Sequence, residues 1–332
     1  MGSSNSALMG IDISLRLSER NKQFYRTDEI VSGKIECFDN MDAEMRLKNV
    51  TIELVGELVH PTHETTHIER SPTTHRICFF TKRLCIHSAD EQMEYTLRLG
   101  NHRWPFSFSL DDSLPPTVKS AGYQSPSICY FICVRLIRAD WHNARIEKHF
   151  PIVIQRAVTP PRAIHLEYED ENRKGVRFRV VFPKNIAVIG KYFSLNVDLY
   201  NPRRITIHRI TAVLIEERIL GSSKEKNLIV LKNNIIDIVD FQGEHLHETF
   251  KFILPDSIVA SFSWKSANWP FRNPFIVRYE LNLEAHIHGP FNNIIIQAPL
   301  TIINRTPINE NEMTPPPPSY ETLFPDSHNS TC

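Results

Sequence analysis

Apolar and polar side chains alternate with a strict two-residue period through most of the chain. Ile11, Ile13, Leu15 and Leu17 alternate with Asp12, Ser14 and Arg16, and Val50, Ile52 and Leu54 flank Thr51 and Glu53. In the second half Phe193, Leu195, Val197 and Leu199 enclose Ser194, Asn196 and Asp198. Tyr279, Leu281, Leu283 and Ala285 do the same around Glu280, Asn282 and Glu284. Successive side chains of a strand point to opposite faces, so each run predicts a strand with one buried face. No window of about a dozen residues sustains the 3.6-residue stripe of an amphipathic helix. Many short strands bounded by turns predict an all-β protein of antiparallel β-sandwiches, each of about seven strands.

Two prolines, Pro160 and Pro161, fall in the stretch 157–162, where they interrupt any ladder and stiffen a linker. The expected organisation is a flexible N-terminus over 1–7, one sandwich over 8–156, the linker over 157–162 and a second sandwich over 163–304. A tail over 305–332 follows. A weak internal repeat supports two copies of one unit. Each half has a Gly-Lys pair before a strand (Gly33-Lys34, Gly190-Lys191), then a Leu-Pro (Leu114-Pro115, Leu254-Pro255) and a strand tyrosine (Tyr130, Tyr279). Each closes on proline with alternating aliphatics, at Pro151-Ile152-Val153 and Pro299-Leu300-Thr301-Ile302. From about Thr306 the composition turns to Pro307, Pro315, Pro316, Pro317, Pro318 and Pro325 among polar and acidic residues. So few large apolar side chains cannot offset the entropy of ordering, which predicts a disordered tail with a polyproline II tendency.

Charge narrows the function. Lys+Arg and Asp+Glu balance at 38 each, which removes the electrostatic case for a nucleic-acid partner. Glycine narrows it further: of the 11 glycines no two lie closer than the eight positions from Gly2 to Gly10. A dinucleotide GxGxxG, a phosphate-cradling GxxxxGK and a GxSxG nucleophile elbow are therefore excluded. No apolar run reaches the roughly 18 residues that span a bilayer, and the start MGSSNSALMG has no secretory pattern. The six cysteines, Cys37, Cys78, Cys85, Cys129, Cys133 and Cys332, include no CxxC, so reduced thiols and a cytoplasmic location are expected.

A few local patterns carry candidate chemistry. His63-Glu64-Thr65-Thr66-His67 spells HExxH, which on a helix presents two zinc ligands and a general base. Pro61, the two threonines and the lack of an apolar helical face favour a solvated loop instead; a zinc peptidase is the enzyme alternative. His245 with His247, and His286 with His288, each place two imidazoles on one strand face, as a metal half-site or as exposed strand histidines. Cys129 and Cys133 share parity with Phe131 and read as small buried thiols. No catalytic residue, metal or cofactor is assigned. Gly2 is a candidate for lipidation, since Gly2 and Ser6 fit M-G-x-x-x-[ST].

The element order resembles the arrestin superfamily, specifically the α-arrestins (arrestin domain-containing proteins). In the first half the resemblance rests on residues 28–35 (DEIVSGKI), residues 50–56 (VTIELVG), and Leu99-Gly100-Asn101-His102-Arg103-Trp104-Pro105-Phe106-Ser107-Phe108 before Leu114-Pro115. In the second half it rests on Ile189-Gly190-Lys191-Tyr192-Phe193, Asn201, Ile253-Leu254-Pro255 and Ala298-Pro299-Leu300-Thr301-Ile302. The tail sequence Pro317-Pro318-Ser319-Tyr320, a PPxY motif with Leu323 three residues beyond, fits it independently. The buried charged cluster of the visual and β-arrestins has no residue-by-residue counterpart.

The resemblance implies a non-catalytic adaptor that links membrane-protein cargo, receptors or transporters, to a WW-domain HECT-type ubiquitin ligase. Its role would be ubiquitination, endocytosis and endosomal sorting. It implies that Pro317, Pro318, Tyr320 and Leu323 bind the WW domain. The protein would be cytoplasmic and recruited to plasma membrane and endosomes, with a lipid on Gly2 as a further membrane contact. The alternative within the same fold is a retromer-like trafficking scaffold that uses no ubiquitin ligase.

Overall fold

The computed structural model describes residues 11–39, 44–63, 72–88, 95–120, 125–139, 145–156, 161–221, 223–235, 239–266, 270–271, 273–289 and 293–305. Among the described residues there is no helix. The first half carries β1 (Ile11–Leu17), β2 (Tyr25–Arg26), β3 (Ile30–Asp39), β4 (Met45–His63), β5 (Pro72–Ser88), β6 (Tyr95–Leu97), β7 (Gly100–Ser109), β8 (Ser127–Arg138), β9 (Arg145–Ile152) and β10 (Ile154–Gln155). The second carries β11 (Leu166–Glu171), β12 (Arg177–Phe182), β13 (Ile186–Val188), β14 (Tyr192–Tyr200), β15 (Ile207–Leu220), β16 (Ser223–Ile235), β17 (His245–Ile253), β18 (Phe262–Trp264), β19 (Phe275–Ile287) and β20 (Ile294–Ile303).

Each half pairs a smaller sheet with a larger one. In the first, β1-β3-β7 faces β5-β4-β8-β9, to which β6 is added along β4. In the second, β11-β12-β14-β17 faces β13-β20-β19-β15-β16, with β18 along β19. Nearly all pairs are antiparallel; β2 with β10 and β13 with β20 are parallel. The alternation sets which face is buried. Ile13, Val50, Ile52, Leu54, Phe193, Leu195, Val197, Tyr279, Leu281 and Leu283 are all core, while Asp12, Ser14 and Arg16 are exposed. Thr51 and Glu53, on the polar face of β4, are nevertheless buried. Strand β4 is central, and long arginine side chains from its neighbours close over that face.

The internal repeat has a physical basis at its tyrosines. The Tyr130 hydroxyl donates to the Pro115 carbonyl at 2.7 Å, and the Tyr279 hydroxyl reaches the Val259 carbonyl at 2.6 Å. A buried strand tyrosine thus fastens the Leu-Pro itself in the first half and the loop four residues beyond it in the second, and the leucines of both, Leu114 and Leu254, are themselves buried. The glycines of the repeat are not equivalent. Gly33 lies inside β3 rather than before a strand, where a Cβ would come within 3.0 Å of Leu17 Cα and closer still to the Arg16 carbonyl. Gly190 takes a left-handed φ of 67° in the turn into β14, a conformation favouring glycine.

Candidate functional site

Pro317, Pro318, Tyr320, Leu323 and Gly2 all lie outside the described residues. What the structure places is the root of the tail. After β20, Arg305 donates from Nη2 to the Gly190 carbonyl at 2.6 Å and from Nε to the Ile189 carbonyl at 3.2 Å. Its own carbonyl accepts from Arg26 Nη2, in the first half, at 3.5 Å. The chain therefore enters its proline-rich segment from a point tied to both halves.

That point belongs to a junction built of side chains from both sandwiches. Arg218 of β15 is 5% exposed, and its Nη1 donates toward the carbonyls of Lys119 and Pro126, at 2.8 and 3.0 Å, and Ser125 Oγ at 3.0 Å. Its Nε is 2.6 Å from Glu216 Oε1, whose other oxygen lies 2.9 Å from the Tyr279 hydroxyl. Tyr279 has one proton for two acceptors, Glu216 and Val259. Burial first, and the Glu216 charge second, hold its phenol far above the usual range, so the proton stays. Aromatic contacts extend the junction: Phe79 packs edge-on to Trp264 at 4.7 Å, and His60 to Phe271 at 5.3 Å. The charged pair itself is local, Glu216 and Arg218 standing two residues apart, but the junction is not legible in the sequence because Arg218 is 92 to 99 residues from the first-half carbonyls it binds.

A second cluster covers the outer face of the larger sheet in the first half. Glu53, 3% exposed, pairs with Arg83 and with Arg135 Nη1 at 3.0 Å. Opposite it on β8 is Cys133, also buried, which in turn faces His149 of β9. The His149 Nε2 lies 2.6 Å from Glu147 Oε1, while Glu147 Oε2 is held by Arg135 at 3.3 Å and by Arg145. Burial pushes the Cys133 and Cys129 thiols up. Burial first, then Arg135, Arg145 and Arg76, lowers His149. Cys133 is therefore a buried thiol as expected, but on the outer face beneath charged side chains rather than in the core; Cys129 is half-buried. The five described cysteines are free.

The remaining candidates do not assemble. His245 and His247 lie on β17 and His286 and His288 at β19, in different sheets, so the two pairs do not meet. His247 pairs with Asp198, and His286 sits 3.1 Å from Thr211 Oγ1 and 3.6 Å from Glu284. His63 ends strand β4, opposite Pro72, so HExxH begins on a strand rather than the expected loop or a helix; residues 64–67 lie outside the described residues.

Two tandem antiparallel sandwiches joined through a buried polar junction define the class: a two-domain β-sandwich protein. Residues 13–157 match the family model for the N-terminal domain of arrestin (or S-antigen), and residues 172–307 match the model for its C-terminal domain. The chain belongs to the arrestin family. A search among curated proteins returns no match. Arrestin domains characterise non-catalytic trafficking adaptors that bind cargo and trafficking partners.

Proposed function

We propose that this arrestin-family chain is a non-catalytic α-arrestin adaptor that brings membrane-protein cargo to a WW-domain HECT-type ubiquitin ligase. The observation that carries the reading is the PPxY sequence Pro317-Pro318-Ser319-Tyr320, followed by Leu323, in a tail rooted at both domains through Arg305. Proline fixes φ near −65°, so the extended ligand exists before docking and less entropy is lost on binding. Pro317 and Pro318 lie on the aromatic-lined groove of the WW domain, Tyr320 fills the neighbouring slot, and Leu323 adds an apolar contact. The twelve residues from Arg305 to Pro317 can reach at most roughly 43 Å, at about 3.6 Å per residue fully extended. A ligase held at that reach shares the adaptor with cargo seated on either sandwich.

A myristoyl group on Gly2 adds a weak, reversible membrane contact, with an association constant on the order of 10⁴ M⁻¹. Residence at plasma membrane and endosomes then depends on cargo as a second signal. Intact-mass measurement of protein made with a myristoyltransferase reads out the acyl group directly; an unmodified N-terminus contradicts it. Proximity labelling in cells with the intact chain and with Tyr320→Ala tests the adaptor role. The expected result is loss of ligase labelling with cargo labelling retained. Ligase labelling unchanged by Tyr320→Ala contradicts the PPxY mechanism, and absence of ligase labelling by the intact chain favours the retromer-like scaffold.

A further inference from the structure

Cys133, Glu147 and His149 are three different metal-binding side chains on one face of two adjacent strands. Cys133 and His149 are direct partners in the β8–β9 register, and Glu147 precedes His149 by two residues on the same face. Their donor atoms all lie within 4.8 Å of one another. We infer that these residues form a three-donor site for zinc, with the fourth tetrahedral position open to water.

Several features support the assignment. Thiolate, imidazole and carboxylate are the zinc donor set, and a three-ligand site with one open position is a common arrangement. The frame is rigid, because β8 is hydrogen-bonded to β4 on one side and β9 on the other. Phe131 stacks on the His149 ring with centroids 4.5 Å apart, which fixes the imidazole plane. Arg135 and Arg145 occupy Glu147 Oε2, leaving Oε1 directed at His149; outer contacts of this kind orient metal ligands. The Arg135 Nη2 lies 3.9 Å from Cys133 Sγ, where its charge favours the thiolate. Glu53 and Glu147 offset two of the three arginines around the site, Arg83, Arg135 and Arg145, and the Cys133 thiolate formed on binding supplies the third negative charge.

The nitrogen–oxygen pair needs little movement. Zinc about 2.0 Å from both nitrogen and oxygen in tetrahedral geometry needs these atoms roughly 3.3 Å apart. They stand 2.6 Å apart, so they must part by less than about 1 Å. On binding, the Cys133 thiol proton leaves to solvent. The proton that His149 Nε2 donates to Glu147 is exchanged through solvent to Nδ1, breaking that hydrogen bond; the sulfur, the freed Nε2 and Glu147 Oε1 then each donate an electron pair to the ion. The site then clamps edge strand β9 to β8.

Cobalt reports on such a site without an enzymatic assay. Titrating the full chain, reduced with a non-chelating phosphine, with Co²⁺ should give a thiolate-to-cobalt charge-transfer band that saturates at one equivalent and is bleached by Zn²⁺. Cys133→Ser should abolish the band while Cys85→Ser keeps it. His149→Ala should weaken cobalt binding by ~100-fold or more, beyond the ~10–100-fold typical of losing an outer partner. His149 and Glu147 are partly solvent-facing, so His149→Ala and Glu147→Gln read the same band should Cys133→Ser fail to fold by circular dichroism. No charge-transfer band in the native chain, or a band that His149→Ala leaves unchanged, overturns the assignment.

Discussion

His286 is partly buried on the solvent side of β19, between Thr211 Oγ1 at 3.1 Å and the side chains of Asn293 and Glu284. Desolvation, followed by the charges of Arg209, Lys232 and His208, lowers its pKa, and Glu284 opposes them only in part. A lowered folded-state value means that the unfolded chain binds the proton first as pH falls. Stability then declines from about pH 6.5 downward, until pH passes below the folded pKa. His149 contributes with the same sign. Urea midpoints measured at about pH 7.5 and 5.5 should therefore fall less for His286→Asn than for the native chain. Equal declines contradict the assignment. The histidine's strand and face were legible in the sequence, but its environment was not, because Lys232 and Arg209 reach it through the cross-strand register of β15 with β16 and β19.

Strands were the most legible elements. Two-residue alternation is a direct imprint of the pleat, so β1, β14 and β19 follow from local sequence alone. Burial of Glu53 on β4 does not, because it depends on Arg83 and Arg135, 30 and 82 residues away. The tyrosine fastenings are intermediate: the sequence shows the recurring Leu-Pro and Tyr, and only the fold shows the hydroxyl meeting a loop carbonyl. Tyr130→Phe keeps the ring in the core and leaves the buried Pro115 carbonyl without its donor. The expected cost is about 1–3 kcal/mol of unfolding free energy, read from urea denaturation. A change below about 0.5 kcal/mol would show that the loop is held by its apolar contacts instead.

At the scale of the whole molecule, Arg218 ties one sandwich to the other through three hydrogen-bond acceptors of the first half. Arg218→Ala leaves Glu216 buried with, among the described residues, Tyr279 as its remaining hydrogen-bond donor, and removes the donor from the carbonyls of Lys119 and Pro126. Breaking a buried pair in this way costs about 3–5 kcal/mol. Calorimetry should show a lower midpoint and separate unfolding of the two halves; a single unshifted transition contradicts the junction's role. The tail inverts this relation between sequence and structure. A linear motif is legible without any fold, and the fold adds only its anchorage at Arg305. The central claim, that Tyr320 couples the two-sandwich body to a ligase, is tested most directly by calorimetric titration of the full chain with a ligase WW domain. Tyr320→Ala should lose about 2 kcal/mol, roughly a thirtyfold weakening, as expected of a desolvated aromatic anchor. Equal affinity of the native and Tyr320→Ala chains would contradict the account.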